Sequence, residues 1–313
     1  MINVDKEILV TGAGGYVGNV LCRHLLGVGY KVRAMDNFHK GQCDALLSLV
    51  TNPDFSFMYG DVTNLKDCEK AVNGVDGIIH LAAIVGFPAC KRQPALADAV
   101  NVGGTKNVLK VKGDIPLVFA STGSVYGKVE ETCTEDTPKN PLTVYGINKL
   151  EAESAVRAAP NTVSLRFATG FGVSPCMRVN LLVNDLVYQA ITNRCLTIFE
   201  AGARRTFIHV KDMAAAFHLS LQKLVDGKLN YDVYNAGSDK LNWTKRMVAE
   251  YIREKTGCLV TYAEIGKDLD QRDYEVDFSR FNQEIMDVRF SMEQGVDELL
   301  KATPLLQIRH QYE

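Results

Sequence analysis

The chain lacks the features that would send it to a membrane, a nucleic acid or the cell exterior. Its 313 residues hold no apolar run long enough to span a bilayer. The opening Met1-Ile2-Asn3-Val4-Asp5-Lys6-Glu7 has charges where an export signal needs an apolar core, so a cytoplasmic location is expected. The formal charge of −2 leaves no basic footprint for nucleic acid or an anionic membrane. Eight cysteines lie scattered, with no C-x-x-C pair and no cysteine–histidine cluster at ligand spacing. That pattern argues against a zinc site and a disulfide framework, and no metal is expected. Prolines number only nine, and no repeat, low-complexity tract or long linker interrupts the chain. What remains is an ordinary globular composition, long enough for one large domain or two intimately packed ones.

The first half alternates short β-branched runs with helical stretches. Strands are expected at Ile8–Val10, Lys31–Met35, Phe55–Met58, Gly77–Leu81, Pro116–Ala120 and Thr162–Arg166, and helices at Gly18–Leu26, Leu65–Val72, Ala95–Val111 and Tyr145–Ala158. Such alternation predicts an α/β fold with a doubly wound parallel sheet covered on both faces. Beyond about residue 168 the alternation becomes irregular, with helices expected at Leu181–Thr192, Asp212–Leu224 and Lys245–Lys255. Residues 1–168 are therefore expected to form one domain and 169–313 a smaller substrate-holding lobe, with a ligand in the cleft between them.

Gly12, Gly15 and Gly18 follow the first strand and open the first helix. In that context a tight turn brings backbone amides up to a pyrophosphate, and the helix N-terminus favours its charge. Asp36 ends the second strand, where a carboxylate accepts hydrogen bonds from both adenosine ribose hydroxyls and repels a 2′-phosphate. NAD is thus favoured over NADP, although Arg33 is close in sequence. Asp61 and Val62 either meet the adenine or form a helix N-cap ahead of Leu65.

Tyr145 and Lys149 stand four residues apart, on one face of a helix. An ammonium so placed favours the phenolate, making the tyrosine a usable general base toward a sugar hydroxyl.

These motifs come in an order that resembles the extended short-chain dehydrogenase/reductase family, in particular its NAD-dependent nucleotide-sugar epimerases and dehydratases. The resemblance runs through Thr11–Gly18, Asp36-Asn37, Asp61-Val62, His80–Ala83, Asn101–Thr105, Ser121–Gly127, Tyr145–Lys149, Leu165–Phe167, Arg205–Asp212, Tyr234–Gly237 and Asp270–Tyr274. It implies a Rossmann-type domain with a smaller C-terminal lobe, segments around 205–240 returning to the first domain. It further implies that Gly12, Gly15, Tyr16, Val17, Gly18, Asp36, Asn37, Asp61 and Val62 meet the cofactor. Leu81, Ala82 and Ala83 would line the wall beside the nicotinamide, and Asn101 would support the active-site helix. Thr122 would hydrogen-bond the reacting oxygen, with Tyr145 as base and Lys149 also holding the nicotinamide ribose. On the substrate side it implies Val85, Ser124, Thr169, Arg205 and Arg272, with either Asn180 or Asn184 donating to a diphosphate. A homodimer is a family expectation, packed through the helix of Tyr145 and Lys149.

In this family the tyrosine takes the proton of the sugar 4-hydroxyl while the C4 hydride moves to NAD, giving a 4-keto sugar. Members that go on to eliminate water carry an Asp-Glu pair directly after the catalytic threonine, and here those positions are Gly123 and Ser124. Members that invert C3 or C5 often carry a cysteine at the place of Ser124. The residues present suffice for oxidation and re-reduction at C4, so a 4-epimerase on a nucleotide sugar is expected. A sugar or secondary-alcohol dehydrogenase or ketoreductase, and a dehydratase with its C5 base elsewhere, are the alternatives. Cys90 is either a thiol reaching the pocket or an inert structural one.

Overall fold

The computed structural model describes residues 5–39, 43–263 and 274–312. Strands β1 (Glu7–Thr11), β2 (Lys31–Asp36), β3 (Phe55–Tyr59), β4 (Gly77–His80), β5 (Leu117–Thr122) and β6 (Thr162–Phe167) belong to one sheet. The short strands β7 (Thr169–Phe171), β8 (Cys195–Phe199) and β9 (Arg204–His209) lie outside it, and β10 (Val233–Ala236) returns to complete its seven strands. The order is β3-β2-β1-β4-β5-β6-β10, every pairing parallel. Ile8, Leu9 and Val10 in β1 and Ile78 and Ile79 in β4 are buried, as central strands of a sheet covered on both faces must be. The edge strand β3 differs, leaving Phe57 and Tyr59 exposed.

Around the sheet run α1 (Tyr16–Gly27), α2 (Leu65–Val72), α3 (Phe87–Arg92), α4 (Pro94–Asp98), α5 (Thr105–Val111), α6 (Val144–Arg157), α7 (Leu182–Thr192) and α8 (Val210–Val225). Helix α1 turns Leu21, Cys22 and Leu25 inward at helical spacing. The single helix expected over Ala95–Val111 is instead α4 and α5 joined by a π-helical stretch at Ala99–Gly104, which carries Asn101. The chain builds β1, moves outward through β2 and β3, then crosses back to β4 on the other side of β1. Such a reversal opens a crevice beyond the strand C-termini, the usual ligand position in this architecture.

The region expected to be irregular holds more strands than its sequence suggests. β7 pairs with β9, and β9 with β11 (Asn242–Thr244), while β8 pairs with β12 (Leu259–Ala263). Together with α7, α9 (Lys245–Thr256), α10 (Ser279–Glu284) and α11 (Met292–Tyr312), these complete the described strands and α-helices. Phe171, Val183, Val187, Leu196, Phe207, Val248, Ile252, Met292 and Val296 form a core separate from those of the sheet. Strands of three to five residues are too short for a secure period-two reading, even β8, which alternates with Leu196 and Ile198 inward. Helix α8 packs on α1 against the large sheet, so the chain recrosses between the two cores after β9.

Candidate active site

A cleft of about 1120 Å³ opens at the strand C-termini. One end is made largely of backbone. Gly12 has φ +72°, and a Cβ there would sit 2.8 Å from the Ala82 amide nitrogen. A Cβ on Gly18 would sit 2.2 Å from the Gly12 carbonyl oxygen, so both positions require glycine. Gly15 caps α1 without any side-chain hydrogen bond, which leaves first-turn N–H groups to serve an anion. Gly14, which the sequence reading passed over, donates its N–H to Asp36 Oδ2 at 2.9 Å, while Phe38 N–H donates to Oδ1 at 2.7 Å. Burial raises the Asp36 pKa against the opposing effect of those backbone donors. These bonds fix the carboxylate at the cleft wall. A glycine cradle, an uncapped helix start and an acceptor-only carboxylate together suit the pyrophosphate and adenosine ribose of NAD.

Arg33 does not reach the cleft. Its guanidinium meets Glu7 at 2.6 Å and donates to the Ala71 and Asn73 carbonyls, so it offers nothing to a 2′-phosphate. Asp61 lines the cleft with Val62 and accepts from Asn37 Nδ2 at 2.9 Å. The N-cap alternative for Asp61 falls away, because Asn64 caps α2 by accepting from the Lys66 N–H. Tyr16, Val17, Asn37, Leu81, Ala82 and Ala83 also line the cleft. Thr11 Oγ1 accepts from the Leu81 and Ala82 N–H groups at 3.2 and 3.3 Å, holding that wall against β1. His80 bridges the Thr11 and Thr105 hydroxyls, and burial pushes its pKa down to about 3, so it stays neutral. Asn101 is buried behind the wall and exchanges two hydrogen bonds with the Ile84 backbone, at 2.8 and 3.0 Å. It pins the loop after β4, where support of the active-site helix was expected.

The reacting face comes from β5 and α6. Thr143 caps α6 by accepting from the Gly146 N–H, which sets Tyr145 in the first turn and Lys149 one turn further, both lining the cleft. Lys149 is 3% exposed, with its Nζ 4.0 Å from the Phe119 ring centroid. Burial brings its pKa down to about 7, with the Glu153 carboxylate opposing the fall. One turn below Lys149, Glu153 also accepts the Ser121 hydroxyl at 2.5 Å and forks to buried Arg166 at 2.6 and 3.0 Å. That network ties α6 to β5 and β6. Thr122 ends β5, and its hydroxyl meets the Ser124 hydroxyl at 3.2 Å, both side chains lining the cleft. At Gly123 a Cβ would lie 3.0 Å from the Tyr274 hydroxyl, so there is little room for a longer side chain.

The far wall comes from the segments around the second core, where Thr169, Asn180 and Arg205 line the cleft, while Val85 lines it from the loop after β4. Asn184 does not: it is buried, accepts from the Gly172 N–H at 3.1 Å and donates to the Arg178 carbonyl at 3.0 Å. Of the two asparagines, Asn180 alone faces the cleft. Arg272 lies outside the described residues. Cys90 does not line the cleft either; it is fully buried and its thiol donates to the Ile84 carbonyl at 3.2 Å. Two lining cations escaped the sequence reading. Lys245 donates to the Phe199 carbonyl at 3.1 Å, and Arg178 enters from the loop ahead of α7. The sequence marks neither with a motif. No group of histidine, cysteine and carboxylate side chains suited to a metal occurs among the described residues, and no described helix is long and apolar enough to cross a membrane.

A doubly wound parallel sheet with a glycine cradle at its switch point and a tyrosine–lysine helix beside it defines an extended short-chain dehydrogenase/reductase enzyme. Within that class the chain belongs to the NAD dependent epimerase/dehydratase family, whose model matches residues 8–237. It is 30% identical over 273 residues to a UDP-glucose 4-epimerase of Corynebacterium glutamicum, covering 80% of each chain. In structure it resembles a UDP-glucuronic acid 4-epimerase from Bacillus cereus in complex with UDP-glucuronic acid and NAD. There the TM-score is 0.83 and the identity 25%, over 96% of this chain and 99% of the other. It also resembles a dTDP-glucose 4,6-dehydratase from Bacillus anthracis in complex with NAD, with a TM-score of 0.81 and 25% identity over 95% and 96% of the two chains.

Proposed function

We propose that the protein is an NAD-dependent 4-epimerase of a nucleotide sugar. The observation that carries this is a reacting face equipped for proton transfer at one carbon and no more. Thr122, Tyr145 and Lys149 line one cleft, and the two positions after Thr122 are Gly123 and Ser124. A Cβ at 123 would stand 3.0 Å from the Tyr274 hydroxyl, so a longer side chain there requires that hydroxyl to shift. The carboxylates lining the cleft among the described residues are Asp36, Asp61 and Asp185. Asp36 is bonded to backbone N–H groups, Asp61 to Asn37 and Asp185 to Gln189, none on the segment that carries Thr122.

NAD, when bound, supplies a reversible two-electron acceptor for the hydrogen on C4. Gly12, Gly15 and Gly18 with the start of α1 hold its pyrophosphate, and Asp36 its adenosine ribose. Tyr145 then takes the proton of the sugar 4-hydroxyl, with the Thr122 hydroxyl hydrogen-bonding the same oxygen. Lys149 favours the phenolate while it carries charge, which it does below its pKa of about 7. Arg205 and Asn180 hold the diphosphate, the arginine through its planar donor fork. The 4-keto sugar turns over between these walls, and Tyr145 returns the proton when the hydrogen arrives on the other face. The reaction is redox-neutral, so one NAD serves many turnovers.

The domain division belongs to this reading as well. Residues 1–168 hold the cofactor and 169–313 the substrate, except that α8 and β10 return to the first domain. That is a shorter stretch than the expected 205–240, because β9 stays with the second core. A homodimer through α6 fits its exposed Ile147, whereas Ala152, one of the small residues expected at that contact, is buried in the protein's own core.

The test is to incubate the protein with NAD and a panel of UDP-, dTDP-, GDP- and CDP-sugars, reading products by mass and NMR. The expected product has unchanged mass and a new configuration at C4. A product lighter by one water contradicts the reading. Tyr145→Phe should lower turnover by at least about 1000-fold while NAD still binds; activity that survives this change makes another group the base.

A further inference from the structure

Arg178 is a half-buried cation on the cleft wall for which the described residues supply no anion. Its Nε is buried with no hydrogen-bond partner, and it takes part in no ion pair among the described residues. The contrast with Arg166 is direct, since that guanidinium is forked to Glu153. Burial lowers the pKa of Arg178, and the opposing influences are the Tyr145, Tyr16 and Cys176 side chains, none a carboxylate. A cation held partly out of water without a counter-charge carries a cost that a bound anion offsets.

Its position is fixed. The Arg178 carbonyl accepts from Asn184 Nδ2 at 3.0 Å and from the Leu181 N–H at 3.3 Å, so the backbone that carries it is pinned. The guanidinium lies across the cleft beside Gly86, with Nη2 3.7 Å from where a Cβ would stand. Gly86 follows the wall formed by Leu81–Ala83, and Tyr145 is the first of the groups opposing the burial shift of Arg178. This is the reacting end of the cleft. The diphosphate already has Arg205 and Asn180 on the far wall.

Resting on the 4-epimerase reading, we propose that Arg178 binds a carboxylate on the sugar itself, making the substrate a nucleotide-linked hexuronic acid. With the 4-hydroxyl at Tyr145, the neighbouring substituent that can carry a carboxylate in such sugars is C6. A planar guanidinium pairs with that group in a fork of two charge-assisted hydrogen bonds. A neutral hydroxymethyl at C6 would leave the guanidinium without a counter-charge, so the site discriminates by what it leaves unsatisfied as well as by what it binds.

The experiment compares UDP-glucuronate with UDP-glucose on the NAD-loaded protein and on Arg178→Met and Arg178→Lys. Binding is read by calorimetry and turnover by NMR. Wild type should favour the uronate, Arg178→Met should cut the uronate-to-glucose affinity ratio by at least about 30-fold, and Arg178→Lys should restore part of it. An unchanged ratio in Arg178→Met overturns the proposal, since the arginine then serves the diphosphate or Tyr145. A wild-type preference for UDP-glucose overturns it too. If neither sugar is isomerised, the 4-epimerase reading passes to the other nucleotide sugars of the panel, and the affinity ratio alone decides the role of Arg178. NAD binding by each variant verifies that it is folded.

Discussion

The two ends of the cleft are made by different means. At the cofactor end the chain offers backbone: three glycines, an uncapped helix start and one carboxylate locked by Gly14 and Phe38 N–H groups. At the substrate end it offers side chains from separate segments, among them Arg178, Asn180, Arg205 and Lys245. A cofactor that recycles in place can be held by geometry alone. Recognition of one sugar among many needs charges and hydrogen bonds that differ between relatives. The first end is therefore rigid and local in sequence, and the second is assembled by the fold.

The backbone end should break most sharply. Gly18→Ala drives a methyl group against the Gly12 carbonyl, and titration with NAD should show affinity reduced by about 10- to 100-fold. Unaltered affinity would mean that the turn yields and is no fixed cradle.

A smaller effect, opposite in sign for stability, is expected at Lys149. Its pKa falls from the ordinary 10.5 to about 7 on folding, so between those values the unfolded chain holds a proton that the folded chain lacks. Stability from this group consequently rises with pH across that window, and the cost of burying the ammonium is full below pH 7. Lys149→Met should lose turnover yet raise the melting temperature of the cofactor-free protein by about 3 °C at pH 6. The gain should shrink toward pH 10. A melting temperature that drops at pH 6 would assign Lys149 a structural role.

The same division explains what could be read from the sequence. The parallel sheet, the glycine turn, Asp36 and the Tyr145–Lys149 helix lie in contiguous motifs whose spacing carries their geometry. Asn64 and Asp61 are three residues apart, and only the folded chain separates the one that caps α2 from the one that holds Asn37. Asn180 and Asn184 are equivalent on paper, yet α7 begins between them, so one faces the cleft and the other locks the loop before it. Arg178 carries no motif, and what marks it is an Nε without a partner among the described residues, a property that exists only after packing. The strands β7, β8, β9, β11 and β12 were illegible for a related reason: three to six residues held by distant partners leave too short a periodic trace.

The most direct test of the central claim follows the hydrogen on C4. A nucleotide sugar deuterated at C4 would be isomerised in ordinary water, and the unlabelled sugar in deuterium oxide. Oxidation and return at one carbon predicts that the first product keeps its label at C4 and that the second gains none on any carbon. Loss of the C4 label to water, or solvent deuterium at C5, would contradict the account and require an acid–base pair that Gly123 and Ser124 do not provide.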